Sequence, residues 1–498
     1  MEVAYQPYID PEYDSLIERI YPASVSIDNE TYQDCTLVKV DSANKNGILL
    51  EMVQVLTDLD LVISKSYISS DGEWFMDVFH VTDQTGNKLK DQGLILYIQQ
   101  ALCATRRAST SKEIKTSTVS QFPSWHGHMP SDHTAIEMTG TDSPGLLSEI
   151  SAVLAELSCR VVSAAAWTHH TRAACILYIE DNGTAGPITD PTRLAQITEV
   201  LENVVEAHDR KGERRSLRLT APVAGWTHTE RRLHQLMYAD RDYEMCCGCC
   251  GGIQCGDSKC AAAHVSIESW KDKGYSVVNV RSRDRPKLLF DTVCVLTDMQ
   301  YIVFHAAVSS EGSIAKQEYF IRHKDGWTMN SDMEKETLAQ CFLAAIERRV
   351  SHGLRLDVSA KDRPCLLSDV TRTLRENGLT IMRADLTTRG QRAVGSFYVA
   401  GMSGQEVDRN TVETVRKEIG ETVCVVSNNI CCSSNNRKGS WRRTLQGSCD
   451  GNKIDYYNNR INNHNNNNDN NDKSRLSLGG ILWAHIEKFS SSFGPIRL

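Results

Sequence analysis

No stretch of this 498-residue chain approaches the ~18 consecutive apolar residues of a membrane span. The opening MEVAYQPYIDPEYDSLIERIYP is acidic and carries no apolar core of signal-peptide length, so a cytoplasmic or nuclear location is expected. A basic excess is missing too: a formal net charge of −8 gives no general polyanion signal, and nucleic acid is not expected as a partner. Equally absent are a P-loop (GxxxxGK followed by Ser or Thr), a GxSxG elbow and a GxGxxG fingerprint. His208-Asp209 has no other metal ligands nearby in sequence, so a phosphohydrolase site is not supported. No catalysis and no cofactor are expected. In a reducing compartment the 17 cysteines stay mostly thiols, and Cys159, Cys294 and Cys341, on apolar faces, read as small core residues.

What the chain does contain is internal repetition. NKNGILLEMVQVL (44–56), DSPGLLSEISAVL (142–154), DRPKLLFDTVCVL (284–296) and DRPCLLSDVTRTL (362–374) align without a gap. Counting from Gly47, Gly145, Lys287 and Cys365, the next two positions are apolar in every copy, and the ninth is Leu56, Leu154, Leu296 or Leu374. The fifth holds Met52, Ile150, Thr292 or Val370, which completes one apolar side of an amphipathic helix, blunted by threonine in the third copy.

Each copy follows a short alternating run: TLVKVDS, TAIEMTG, SVVNVRS and LRLDVSA, which predict strands. Two more apolar runs come after the helix, with Gly72, Gly312 and Gly390 at hairpin tips that need positive φ. The second copy has His169-His170-Thr171 there instead, which predicts a longer or different turn, exposed to solvent. A second helix is expected at about 92–105, 191–207, 333–350 and 409–419. The resulting fold class is α+β, built of four βαββαβ, ferredoxin-like units. Closing strands are predicted at 216–220 and 422–427 but are unclear for the first and third copies. Units of about 75 residues lie near the lower limit for a self-sufficient core, so neighbouring copies are expected to pair.

With the D-x-P-x-L-L phrase at Asp142, Asp284 and Asp362, the block GYSVVNVRSRDRPKLLFDTVCVLTDMQYIVFHA at 274–306 and the terminal GGILWAHIEKFSSSFGPIRL, the chain resembles the plant ACT-domain repeat proteins, the ACR family. The resemblance implies four ACT domains in tandem, paired side by side, at 35–107, 132–221, 274–352 and 353–428. An N-terminal extension (1–34), a Ser/Thr/Pro-rich linker (108–131) and a bridge with a Cys-rich loop (222–273) complete the folded part. A basic and Asn-rich region (429–475) is expected to be disordered, and 476–498 to form an amphipathic helix. The implied function is a non-catalytic regulatory protein that binds free amino acids, a sensor of amino acid or nitrogen status. The alternative is a ligand-free scaffold using its sheet edges and the C-terminal helix to hold a protein partner. Oligomeric state stays open.

The strand-to-helix turns are the candidate ligand sites, because a helix N-terminus offers backbone N–H groups and positive potential to a carboxylate. The residues singled out are Asn44, Asn46, Gly47 and Ile48; Asp142, Ser143, Pro144, Gly145 and Leu146; Asp284 and Arg285; and Asp362 and Arg363. The glycines give room for close approach, and Asn44 and the aspartates offer acceptors to an ammonium group. The same Asp or Asn residues also read as helix caps, with Pro144, Pro286 and Pro364 suited to a first helical turn. Since Lys287 and Cys365 replace glycine, the first two turns are favoured as binders. The cluster CCGCCGGIQCGDSKC at 246–260 offers half of a zinc knuckle, but its doublets fix no register, and it reads as an exposed loop; no metal ligand is assigned.

Overall fold

In a computed structural model of the chain, the described residues are 24–43, 47–71, 74–104, 133–209, 212–220, 228–245, 263–326, 329, 331–350, 353–402, 407–419 and 422–426. Asn44, Asn46, Gly72, the 108–131 linker, the 246–260 cysteine cluster and everything beyond 426 lie outside them.

The first repeat runs β1 (Ser24–Asp28), β2 (Thr36–Ala43), α1 (Ile48–Asp58), β3 (Val62–Asp71), β4 (Trp74–Thr82) and α2 (Gln92–Ala104). The second runs β5 (Thr134–Thr141), α3 (Leu146–Glu156), β6 (Cys159–His169), β7 (Arg172–Asp181), α4 (Pro191–His208) and β8 (Ser216–Thr220). A bridging helix α5 (Thr229–Ala239) and a 3-10 turn at Asp242–Met245 follow. The third repeat is β9 (His264–Trp270), β10 (Tyr275–Arg283), α6 (Leu288–Asp298), β11 (Tyr301–Glu311), β12 (Ile314–His323) and α7 (Asp332–Arg348). The fourth is β13 (Leu354–Lys361), α8 (Leu366–Glu376), β14 (Leu379–Arg389), β15 (Arg392–Gly401), α9 (Arg409–Ile419) and β16 (Thr422–Val426).

The βαββαβ order therefore holds for the second and fourth repeats, whereas the first and third are ββαββα. Their edge strands, β1 and β9, come from the upstream segments expected as extension and bridge, yet pair antiparallel with the opening strand as β8 and β16 do. For the third repeat the reason is chain economy: α7 ends at Arg348 and β13 begins at Leu354, which leaves too short a segment for a turn and a closing strand.

Pairing also departs from sequence order. The two eight-stranded sheets read β1-β2-β4-β3-β11-β12-β10-β9 and β16-β13-β15-β14-β6-β7-β5-β8, so the first repeat joins the third and the second joins the fourth. Both junctions use one register: Tyr67 sits opposite Ala307 and Ala165 opposite Asp385, each twenty residues past its own turn residue. In every repeat the junction strand carries a bulge at the same place, between Ile63 and Lys65, Val161 and Ser163, Val303 and His305, and Ile381 and Arg383. Two bulge carbonyls accept hydroxyls from across the junction, Phe304 O from Ser70 at 3.3 Å and Met382 O from Thr168 at 3.0 Å.

The repeated apolar positions form the two cores. Leu56, Leu154, Leu296 and Leu374 are all buried under their helices, where Leu→Ala changes cost about 2–5 kcal/mol. Val38, Val40, Val278 and Val280 line one core and Ile136, Met138, Leu356 and Val358 the other. The third repeat's Thr292 is accommodated by its hydroxyl, 2.8 Å from Tyr319 Oη and within reach of the Leu288 and Leu289 carbonyls. Cys159, Cys294 and Cys341 are buried, as expected from their positions. Among the described residues, no helix is long and apolar enough to cross a membrane.

Helix α5 is a wedge between the two layers. Leu233, Leu236 and Met237 pack with Trp167, Ala174, Ile176 and Tyr178 on the face of the second sheet opposite its other helices. Its other side meets α6, through Arg231 Nη2 2.6 Å from Asp298 and His234 Nε2 2.9 Å from Asp291.

The strand-to-helix turns as the candidate ligand site

All four turns share one backbone. Gly47, Gly145, Lys287 and Cys365 immediately precede their helices at φ 85, 91, 65 and 67, and none caps with its side chain. Lysine and cysteine thus hold the left-handed conformation that glycine adopts freely. The aspartates three residues earlier are not the N-caps either, which removes simple capping as their role.

Asp142 is largely buried, and that burial pushes its carboxyl up to about 6. Its neighbour Ser143 places Oγ 3.0 Å from His208 Nδ1, and His208 Nε2 lies 2.9 Å from Glu149. Pro144 is exposed and Leu146 buried. Over Gly145 runs the stem of Arg375, contributed by α8 of the fourth repeat; a Cβ on Gly145 would lie 3.0 Å from Arg375 Cδ.

At the fourth turn the same place is occupied by Ala155, and the smaller side chain leaves a pocket of about 20 Å³, lined in part by Ala155, Cys159, Asp362, Arg363, Cys365 and Thr388. Asp362 is joined to Arg160 of β6, whose Nη1 is also 2.5 Å from Glu180. Arg363 turns to Asp369 at 2.5 Å. The pocket thus belongs to a turn that lacks glycine, where Cys365 holds the left-handed backbone that Gly47 and Gly145 hold at the first two.

The third turn faces α5. Lys287 Nζ lies 2.9 Å from Glu230, and Arg285 is directed inward, to Asp291 at 2.7 Å and the Ile346 carbonyl at 2.8 Å. Burial raises the Asp284 carboxyl. At the first turn Ile48 is buried, and a Cβ on Gly47 would meet nothing within 4 Å. Sequence reasoning had no place for Arg160 and Arg375, which reach these turns from the paired repeat. The signal was present in the repeat alignment: Arg160 stands where the other copies carry Val62, Ile302 and Thr380.

Beneath the third turn lies a buried ion network. Arg349 donates to Asp291 at 2.7–3.0 Å and to Glu230 at 2.8 and 3.3 Å, with its guanidinium 5.0 Å from the Trp167 ring centroid. Burial would raise both carboxyls, but Arg349 with Arg285 at Asp291, and Arg349 with Lys287 at Glu230, outweigh it and hold both below the usual range. Arg348 forks onto Asp242 at 2.6 and 2.7 Å; with His169 it overcomes the burial of that carboxyl and holds it at about 2.

The hairpin of the second repeat is shorter than expected. His169 pairs with Arg172 across a two-residue tip, the same length as at Gly312, and His170 takes the left-handed slot at φ 53. His169 is not solvated: it is buried, with Nδ1 2.9 Å from Asp242. Burial disfavours its charged form, but hydrogen bonds to Asp242 and Glu347 outweigh that and raise its imidazole.

Comparison with known proteins fits this architecture. A family model described as the ACR family N-terminal ACT domain matches residues 31–109, and an ACT domain model matches 133–209. The ACT domain-containing protein ACR1 of Arabidopsis thaliana is 48% identical over 501 residues, 99% of each chain. ACR3 of the same plant is 53% identical over 433 residues, 85% of this chain and 91% of that one. A bifunctional uridylyltransferase/uridylyl-removing enzyme of Stutzerimonas stutzeri is 29% identical over 99 residues, 20% of this chain and 11% of that enzyme. With near full-length identity to such relatives, the chain belongs to the ACR family of ACT domain-containing proteins.

Proposed function

We propose that the chain is a non-catalytic regulatory protein of four ACT domains, the first beginning at β1 and the third at β9, that reports amino acid or nitrogen status in the cytosol or nucleus. The ligand is a free α-amino acid held where a strand-to-helix turn of one domain meets its paired neighbour. The observation that carries this reading is the fourth-turn pocket with the Arg160–Asp362 ion pair beside it. A zwitterion has the complementary charges: its carboxylate takes the place of Asp362 at Arg160, and its ammonium takes the place of Arg160 at Asp362. Because the pocket holds little more than one water, binding requires that ion pair to part and the two domains to adjust. This couples occupancy to domain pairing, and the ligand shifts the equilibrium by its difference in affinity between closed and parted states. The second turn is a companion site, since Arg375 of the fourth domain runs over Gly145 and Asp142, three residues earlier, is largely buried.

Thermal denaturation of the full chain against each of the twenty amino acids tests this, because a ligand at 100 times its Kd stabilises by about 2.7 kcal/mol. The expected result is a shift with one or a few amino acids, lost in Arg160→Ala and Asp362→Ala. No shift with any amino acid at millimolar concentration would leave the ligand-free scaffold as the better reading.

A further inference from the structure

The hairpin tip of the second repeat gathers side chains that the turn sites do not use. His169 ends β6, His170 follows it, and Glu347 reaches the same point from the last turn of α7 in the third repeat. One donor atom from each lies within 4.8 Å of the others, and His169 Nε2 is 3.4 Å from Glu347 Oε2. Two ligands held at 2.0–2.1 Å from a tetrahedral zinc ion stand about 3.4 Å apart.

A further feature points to a metal. His169 Nδ1 is engaged by Asp242 at 2.9 Å, and Asp242 is itself fixed by the Arg348 fork, so the imidazole is oriented with Nε2 toward Glu347. A carboxylate behind a histidine in this way sets ring orientation and raises ligand basicity at metal sites. The Arg348 fork already balances the charge of Asp242. Two protonated imidazoles with ring centroids 4.0 Å apart would repel, whereas a shared cation is served by both. His170 also holds a left-handed backbone where the third and fourth repeats place glycine.

We propose that His169, His170 and Glu347 bind one divalent transition-metal ion of the zinc class, through two imidazole nitrogens and a carboxylate oxygen, with a fourth position left to water. His169 and His170 belong to the second sheet and Glu347 to a helix of the first sheet's layer, so the ion ties the two layers together. This does not depend on the amino acid reading.

The test uses the full chain with Cys246→Ser, Cys247→Ser, Cys249→Ser, Cys250→Ser, Cys255→Ser and Cys260→Ser, so that the thiolate cluster at 246–260 does not compete. After stripping with EDTA it is titrated with zinc against a chromophoric chelator, alongside the same protein carrying His170→Ala or Glu347→Gln. Both positions are partly open to solvent, so metal-free melting curves should match the parent and show that the variants fold. One equivalent of zinc is expected in the parent, with affinity at least tenfold weaker in either variant and a zinc-dependent rise in melting temperature confined to the parent. Failure of the parent to take zinc from the chelator, or equal affinity in all three proteins, would overturn the site.

Discussion

Ser151 Oγ and Thr371 Oγ1 lie 3.0 Å apart where α3 crosses α8, and each is the sixth residue past the turn of its own repeat. The same position in the other pair holds Val53 and Val293, both buried in their shared core. Each hydroxyl is also bonded within its own helix, Ser151 to the Ser148 carbonyl at 3.0 Å and Thr371 to the Leu367 carbonyl at 2.7 Å. Replacing both partners by apolar groups leaves no orphan, so Ser151→Val with Thr371→Val is expected to change stability by less than about 1 kcal/mol, read from urea midpoints at unchanged slope.

The opposite outcome is expected at Asp291, which is fully buried against Arg349, Arg285 and His234. Asp291→Ala takes the carboxylate from Arg285 and leaves Arg349 with Glu230 alone, and the loss of one partner of a buried pair costs about 3–5 kcal/mol. Urea denaturation of the variant would show it, and Asp298→Ala, at a more exposed Arg231 pair, should cost about 1 kcal/mol or less.

Asp77 is buried in the first core, and the Ser69 backbone N–H, which favours its charged form, does not offset that burial. Burial raises its carboxyl well above the ordinary value of 3.8. Over the window from about pH 4 up to that raised value the folded state holds a proton that the unfolded state has released, so stability falls as pH rises. The aligned position of the third repeat is Gln317, a neutral amide. Asp77→Asn is expected to flatten this pH slope and to add about 1–3 kcal/mol at pH 7, measured by denaturation across pH 4–8.

Gly353 enters β13 at φ +101, and a Cβ there would fall 2.3 Å from the Val399 carbonyl oxygen. Gly353→Ala should therefore destabilise by more than about 1 kcal/mol, whereas Gly326→Ala, with nothing within 4 Å, meets only the cost of its φ. Melting temperatures of the two variants would separate clash from conformational strain.

If an ammonium group docks at Asp142, whose carboxyl sits at about 6, the bound state holds that carboxylate charged. Binding at pH 6 then releases about half a proton and at pH 8 almost none. Calorimetry in buffers of different ionisation enthalpy measures the difference, and Asp142→Asn should abolish it.

Much of the fold was legible in the sequence because each repeat's apolar period encodes local elements: the helices after the turns, the hairpin strands and the four buried leucines. The expected pairing of neighbouring copies was wrong, the first repeat joining the third and the second the fourth, since a strand's alternation does not name its partner. Yet the helix contact did carry a clue in residue type, with valine matched to valine and hydroxyl to hydroxyl at the sixth position. The edge strands β1 and β9 escaped because they precede the repeated phrase rather than follow it. At the candidate site, the turn residues were visible while Arg160 and Arg375 were not, since both arrive from another repeat.

Interleaved pairing also bears on how the chain is made. β3 leaves the ribosome about 240 residues before its partner β11, so at the ~5–20 residues per second of synthesis its edge waits roughly 12–48 s, and β6 waits about as long for β14. Unpaired edges of this kind recruit other chains. A nascent first half is thus a poor stopping point, and severing the polypeptide inside the bridge would yield two adhesive fragments whose remedy is to find one another again.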